Sequence, residues 1–267
     1  MKKIRVIAVV SLLFVLLTFA LTGCSYAFKN ANEIPAATVY FAEKDGKAYL
    51  VTSQYGKWLD IDFENKTFSF ASEDIVNTAI KGDKNSFFFT SDWDSYIDID
   101  GYEALDNHIM TCAIDDYSII DAHGKIRDNV MVGFIRVYKR GVGLYVGNTS
   151  VADVVYSYIY SYSPESGDFI IEHTLNDVAI IAFEGESVIY WRDRAFYLYN
   201  LNTKEEKYLM EHKSYDGGNT NYSTTEAIYD SERCYVLMKK GYSNRDDRYL
   251  FVYEWNSGEL CEYAFKE

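Results

Sequence analysis

Four aspartates crowd the segment 92–101, DWDSYIDIDG, and a glycine closes it. Clustered carboxylates ahead of a glycine turn are what a hard cation such as calcium needs. The register does not fit a calcium-binding loop. With Gly101 at the sixth place, Asp98 and Asp100 fall on ligand positions, but Tyr96 takes the first and Asn107 the twelfth. A strand over 95–100 that ends in an Asp-Gly turn is expected instead, and no metal site. The four histidines, His108, His123, His173 and His212, form no His-Glu-x-x-His pair and are expected on the surface or in turns.

Glycoside hydrolysis would ask for two carboxyl groups about 5 to 10 Å apart. Forty acidic residues supply many such pairs by chance, so no catalytic pair emerges. The chain has no Gly-x-Ser-x-Gly elbow and no phosphate-binding loop, and no cofactor is expected. The longest polar, glycine-containing segment is 214–225, SYDGGNTNYSTT. Long loops on a rigid β scaffold are where binding usually sits. Tyr215 and Tyr222, with rings able to stack on a sugar or a partner side chain, and Asn219 between them are the candidate binding residues. A second polar loop, KKGYSNRDDR, spans 239–248.

The elements that must position such loops read as β-strands. Aromatic residues make up 17% of the chain, 25 of them tyrosine, and short alternating runs are punctuated by turn residues. Strands are expected at 47–52, 57–63, 86–90, 154–162, 187–191, 195–201 and 248–255. A hairpin unit recurs: an aromatic-rich strand, a polar turn of about four residues and a second strand. It occurs around the turns at Asn65, Glu165, Asn202 and Asn256, with a poorer copy whose turn is 122–125, AHGK. The five turns are 57, 43, 37 and 54 residues apart. Repeats of that length with several strands each predict a β-propeller-like all-β domain of about five blades, four to six allowed, with the hairpin as the outer strand pair of each blade. A large β-sandwich is the alternative.

In 154–162 one face carries Tyr156, Tyr158, Tyr160 and Tyr162 and the other Val155, Ser157, Ile159 and Ser161, which suits a sheet packed on both sides. The turn Ser163-Pro-Glu-Ser-Gly-Asp-Phe169 is similar to the Asp-box turn of sialidase-like propellers, with Glu165 where that turn has Asp. The resemblance implies fold, not chemistry.

Lys2, Lys3 and Arg5 precede an uncharged run over 6–21 that is shorter than the roughly 20 residues of a spanning helix. Leu21-Thr22-Gly23-Cys24 closes the run and resembles the lipobox of bacterial lipoproteins. The resemblance implies cleavage between Gly23 and Cys24, thioether diacylglycerol on the Cys24 sulfur and often acylation of its new amino group. It also implies a cell-membrane anchor on the extracytoplasmic face, which two or more acyl chains make firm. The expected divisions are a signal peptide over 1–23, a lipidated tether over 24–38 and one all-β domain over 39–267.

Losing Lys2, Lys3 and Arg5 with the leader takes the formal net charge from −14 to −17. Such a surface repels nucleic-acid phosphates, so no nucleic-acid partner is expected. Cys112, Cys234 and Cys261 are an odd number once Cys24 carries lipid, and their spacing suits neither a disulfide framework nor a zinc site. Cys234 and Cys261 are expected on the second and fourth strands of one blade, about 9.5 Å apart and therefore free thiols. The functional expectation is a non-enzymatic binding module for an envelope protein or glycan; the alternative is a lipid-anchored glycoside hydrolase.

Overall fold

The computed structural model describes residues 26–27, 33–35, 39–44, 47–52, 57–62, 65, 67–70, 86–90, 103–112, 118–139, 154–193, 195–211, 223–240 and 248–266. Residues 1–23, Cys24, the acidic stretch 92–101, His212 and the loop residues Tyr215, Asn219 and Tyr222 lie outside them. Two short strands come first, β1 (Tyr26–Ala27) and β2 (Glu33–Pro35). The first sheet is the meander β3 (Val39–Lys44), β4 (Lys47–Thr52), β5 (Lys57–Asp62) and β6 (Thr67–Phe70). The second comprises β7 (Ser86–Thr90), β8 (Ser118–Arg127), β9 (Val130–Lys139), β10 (Val154–Ser163) and β11 (Asp168–Asn176). The third is β12 (Ala179–Glu184), β13 (Ser187–Arg192), β14 (Ala195–Asn200) and β15 (Glu206–Glu211). The fourth is β16 (Ser223–Tyr229), β17 (Arg233–Lys240), β18 (Arg248–Glu254) and β19 (Leu260–Lys266). These are four separate antiparallel meanders, and among the described residues none closes into a barrel.

Four of the five expected hairpins are the last two strands of the four sheets: β5–β6, β10–β11, β14–β15 and β18–β19. Three of their turns share one hydrogen bond. The N–H of Gly167, Lys204 and Gly258 donates to the carbonyl four residues earlier, on Ser163, Asn200 and Glu254, at 2.8 to 2.9 Å. All three donors have positive φ, 63° to 74°. Glycine enters that region freely; Lys204 enters it at a cost. The Asn200 side chain offsets part of this by accepting the N–H groups of Asn202 and Thr203.

The fifth hairpin is a correction. Residues 122–125 lie in the middle of β8, and the chain reverses later, at Asp128 and Asn129, both with positive φ. Gly124 mimicked a turn residue but is a strand residue that pairs with Gly133. A Cβ on Gly133 would run into the His123 carbonyl oxygen and lie 2.8 Å from both the Gly124 Cα and the Tyr160 hydroxyl, so it is Gly133 that leaves room for the tyrosine.

One helix, α1 (Glu103–Met110), was not expected among so many strands. Its signal is brief: Leu105 and Ile109, four residues apart, are both fully buried. They pack in one cluster with Ile120, Ile135, Tyr160 and Tyr162, against which Tyr156 and Tyr158 also rest. The tyrosine-rich face of β10 is therefore the helix-facing side of the second sheet. On the opposite face the Ser157 hydroxyl donates to the Val178 carbonyl at 2.6 Å, joining the second sheet to the start of the third.

Within 24–38, expected to be a tether, the described residues 26–27 and 33–35 are strands. β1 pairs antiparallel with β6, and β2 runs parallel to β19. These two short strands cover edges of the first and fourth sheets, where unpaired backbone groups would otherwise sit. Cys234 on β17 opposes Tyr253, while Cys261 on β19 opposes Val252. Tyr253 and Val252 are consecutive, so the two thiols stand on opposite faces of the fourth sheet; both are free, as is Cys112.

Candidate functional site

Alternation along β8 puts Asp121, His123 and Lys125 on one face, turned toward the third sheet. Arg136 is directly opposite Asp121 on β9. A lone arginine in the apolar run VMVGFIRVYK needs a buried partner, and it has one. Its Nε and Nη2 donate to the two Asp121 oxygens at 2.8 and 2.9 Å, and the Tyr138 hydroxyl donates to the second oxygen at 3.0 Å. Asp121 is only 4% exposed. Nη1 reaches the Ile180 carbonyl on β12 at 3.3 Å, carrying the ion pair across to the next sheet.

Arg136 Nη2 also lies 3.0 Å from His123 Nε2. A guanidinium offers only donors, so Nε2 accepts and the ring proton sits on Nδ1. Burial first, then the Arg136 charge, holds the His123 pKa down at about 3. The ring stacks on Phe134 with centroids 4.7 Å apart. His123 is thus a neutral, packed histidine rather than the surface or turn residue expected, and at ordinary pH it is not an imidazolium.

Further along the row, the Lys125 ammonium donates to the Tyr229 carbonyl at the end of β16 and lies 4.0 Å from that ring's centroid. The Tyr229 ring meets Phe183 of β12 at 6.0 Å. Next to it, buried Asp230 accepts the N–H groups of Glu232 and Arg233 at 2.8 Å and that of Ala48 in β4 at 3.2 Å. All four sheets therefore meet around Tyr229 and Asp230. The buried Asp230 carboxylate there is committed to backbone donors.

A second cluster lies on the third sheet. Cross-strand register aligns Tyr190 with Tyr197, and Tyr197 with Tyr208. Tyr190 and Tyr197 stack at 5.7 Å, and Tyr208 meets Tyr197 edge-on at 5.8 Å. The Arg192 guanidinium lies 4.8 Å from the Tyr197 centroid and donates to Glu206 at 2.8 Å. The Tyr190 hydroxyl donates to the same carboxylate. Desolvation would raise the Glu206 pKa, but the hydrogen bonds from Tyr190 and Arg192 outweigh it and the pKa is lowered. Burial and then the Glu206 contact push the Tyr190 hydroxyl upward. Tyr190 is buried at 2% exposure and Tyr208 is 56% exposed, so the cluster runs from a core tyrosine to an open ring.

Of the expected site residues, Cys24, Gly23, Tyr215, Asn219 and Tyr222 lie outside the described residues, and residues expected at the end of that loop already belong to β16. His108 is on α1, stacked on Phe169 at 5.2 Å, and His173 is on β11. The Asp121 row was legible as polar–apolar alternation over 118–127, had Gly124 not been read as a turn. Among the described residues no three His, Cys, Asp or Glu side chains converge as a metal site.

No family model matches this chain, and no curated protein does. Among solved structures it is similar to oligogalacturonate lyase from Vibrio parahaemolyticus, at 8% identity, over 90% of this chain and 71% of that one. The TM-score is 0.28, too low to carry an argument about fold or activity.

Proposed function

We propose that the protein is a lipid-anchored, extracytoplasmic binding module: a propeller-like ring, four blades in the described residues, that holds a neutral saccharide at the exposed Tyr208 end of the tyrosine row on its third sheet. The anchor is supported by the Leu21–Cys24 lipobox resemblance. The ring reading is supported by four meanders meeting around Tyr229 and Asp230, with β16 touching both β12 and β3. The observation that carries the binding role is the Tyr190–Tyr197–Tyr208 row with the Arg192–Glu206 pair beside it. Sugar rings bind to aromatic faces, with flanking polar groups fixing their hydroxyls. The strongly negative chain favours a neutral ligand over an anionic polymer.

Titration calorimetry of the mature protein with a panel of neutral cell-wall oligosaccharides tests this. Binding that weakens about tenfold in Tyr208→Ala, equivalent to about 1.4 kcal/mol, supports the site. Binding that Tyr208→Ala and Arg192→Ala leave untouched sinks it. Shortened products after incubation would move the reading to the hydrolase.

A further inference from the structure

The chain between the lipidated residue and the folded domain is far too short to be a stalk. We infer that the edges carrying β6 and β19 lie against the bilayer, so that the domain is docked on the lipid surface by its first and fourth sheets. This rests on the lipoprotein reading above and adds an orientation to it.

Cys24 is two residues from Tyr26, and a fully extended chain advances at most about 3.6 Å per residue, so Tyr26 lies within about 7 Å of the lipidated residue. Tyr26 pairs with Phe68 and Ala27 with Thr67. A neighbouring strand adds about 4.8 Å, which brings β6 within about 12 Å of the anchored residue. A free tether of 14 residues would have allowed about 45 Å. β2 then pairs with the β19 edge through Glu33–Ala264, Ile34–Phe265 and Lys266–Pro35. Six residue steps separate Ala27 from Glu33, so the β19 edge follows within about 21 Å of the β6 edge.

β6 and β19 are the last strands of the first and fourth sheets, and β16 brings those sheets into contact through β3 and β4. The second sheet is two steps further along the same series, through β12. Among the described residues, its outer strand β11 and the outer strand β15 of the third sheet receive no strand from the N-terminal segment. Repulsion between the acidic domain and anionic lipid can tilt the docked rim. It cannot lift β6 unless β1 unpairs.

The test uses the full lipidated protein in phosphatidylcholine–phosphatidylglycerol vesicles that carry a trace of acceptor-labelled lipid. Cys261→Ser removes the accessible thiol, Cys112 and Cys234 being buried. Single donors are then placed at Phe70→Cys on β6, Thr174→Cys on β11 and Lys207→Cys on β15. Energy transfer should put the β6 donor nearest the headgroups and the β11 donor roughly 20 Å or more further out, for a domain whose radius of gyration is about 17 Å. Ten Gly/Ser residues inserted between Ser25 and Tyr26 should raise the β6 donor from the surface. Equal heights for the three donors, or no response to the insertion, overturn the docking. Flotation is scored first. If Cys24→Ser protein floats with the vesicles as wild type does, the lipid anchor itself fails, and the orientation falls with it.

Discussion

The two faces of the second sheet solve opposite problems. One is dry: Ile120, Ile135, Tyr160 and Tyr162 close over Leu105 and Ile109 of α1, and the contact is non-directional. The other carries Asp121, His123, Lys125 and Arg136 into the junction with the third and fourth sheets, where each hydrogen bond has one geometry. Apolar packing supplies stability to the sheet and its helix. The ionic row gains little net energy over a well-packed apolar substitute. What it supplies is register, because the Arg136 fork and the Lys125 ammonium fit only one placement of Ile180 and Tyr229.

The largest effect should come from breaking the row on one side. Arg136→Leu leaves the Asp121 carboxylate buried without its cation and should cost about 4 kcal/mol by urea denaturation. Arg136→Leu with Asp121→Leu should recover most of that loss. If the double variant is as unstable as the single one, the row contributes stability as well as register. On the dry face, Ile109→Ala should cost about 3 kcal/mol through a cavity, and no second change on β8 or β9 should rescue it.

The faces should also separate by pH. Folding holds His123 down at about 3, well below an unfolded histidine near 6.5. The unfolded chain therefore binds a proton that the folded chain refuses. The contribution of neutral His123 is present above about pH 6.5 and is lost as pH falls toward 3. His123→Leu should flatten that part of the stability profile, measured by denaturation at pH 7, 6 and 5, whereas Ile109→Ala should leave its slope unchanged. The smallest effect lies away from both faces: Lys204→Gly should raise stability by about 0.5 to 1 kcal/mol by relieving the positive φ in the β14–β15 turn. A lower melting temperature in that variant would mean that the lysine side chain matters more than its backbone.

The outer hairpins were legible because each is local. In β10–β11 and β18–β19 an alternating aromatic strand, a turn ending in glycine and a second strand lie within about twenty residues of one another. Helix α1 was harder, since two apolar residues four apart are a weak signal beside the nineteen strands among the described residues. Gly124 misled for a physical reason: a glycine before a lysine reads the same whether it frees a turn or sits mid-strand opposite another glycine, and that partner, Gly133, is fixed only by the β8–β9 register. The candidate binding row was hidden for the same reason. Tyr190, Tyr197 and Tyr208 are merely three of 25 tyrosines until cross-strand register aligns them.

What the chain alone determined is what nearest neighbours decide: strand periodicity, the repeated turns, the acidic surface and the lipobox-like run ending at Cys24. Which sheet face meets which, that Arg136 is answered by Asp121, and that β1 and β2 are spent on sheet edges were decided only in three dimensions. Pairing between strands depends on groups far apart in sequence, and their complementarity exists only once the sheets have been brought together.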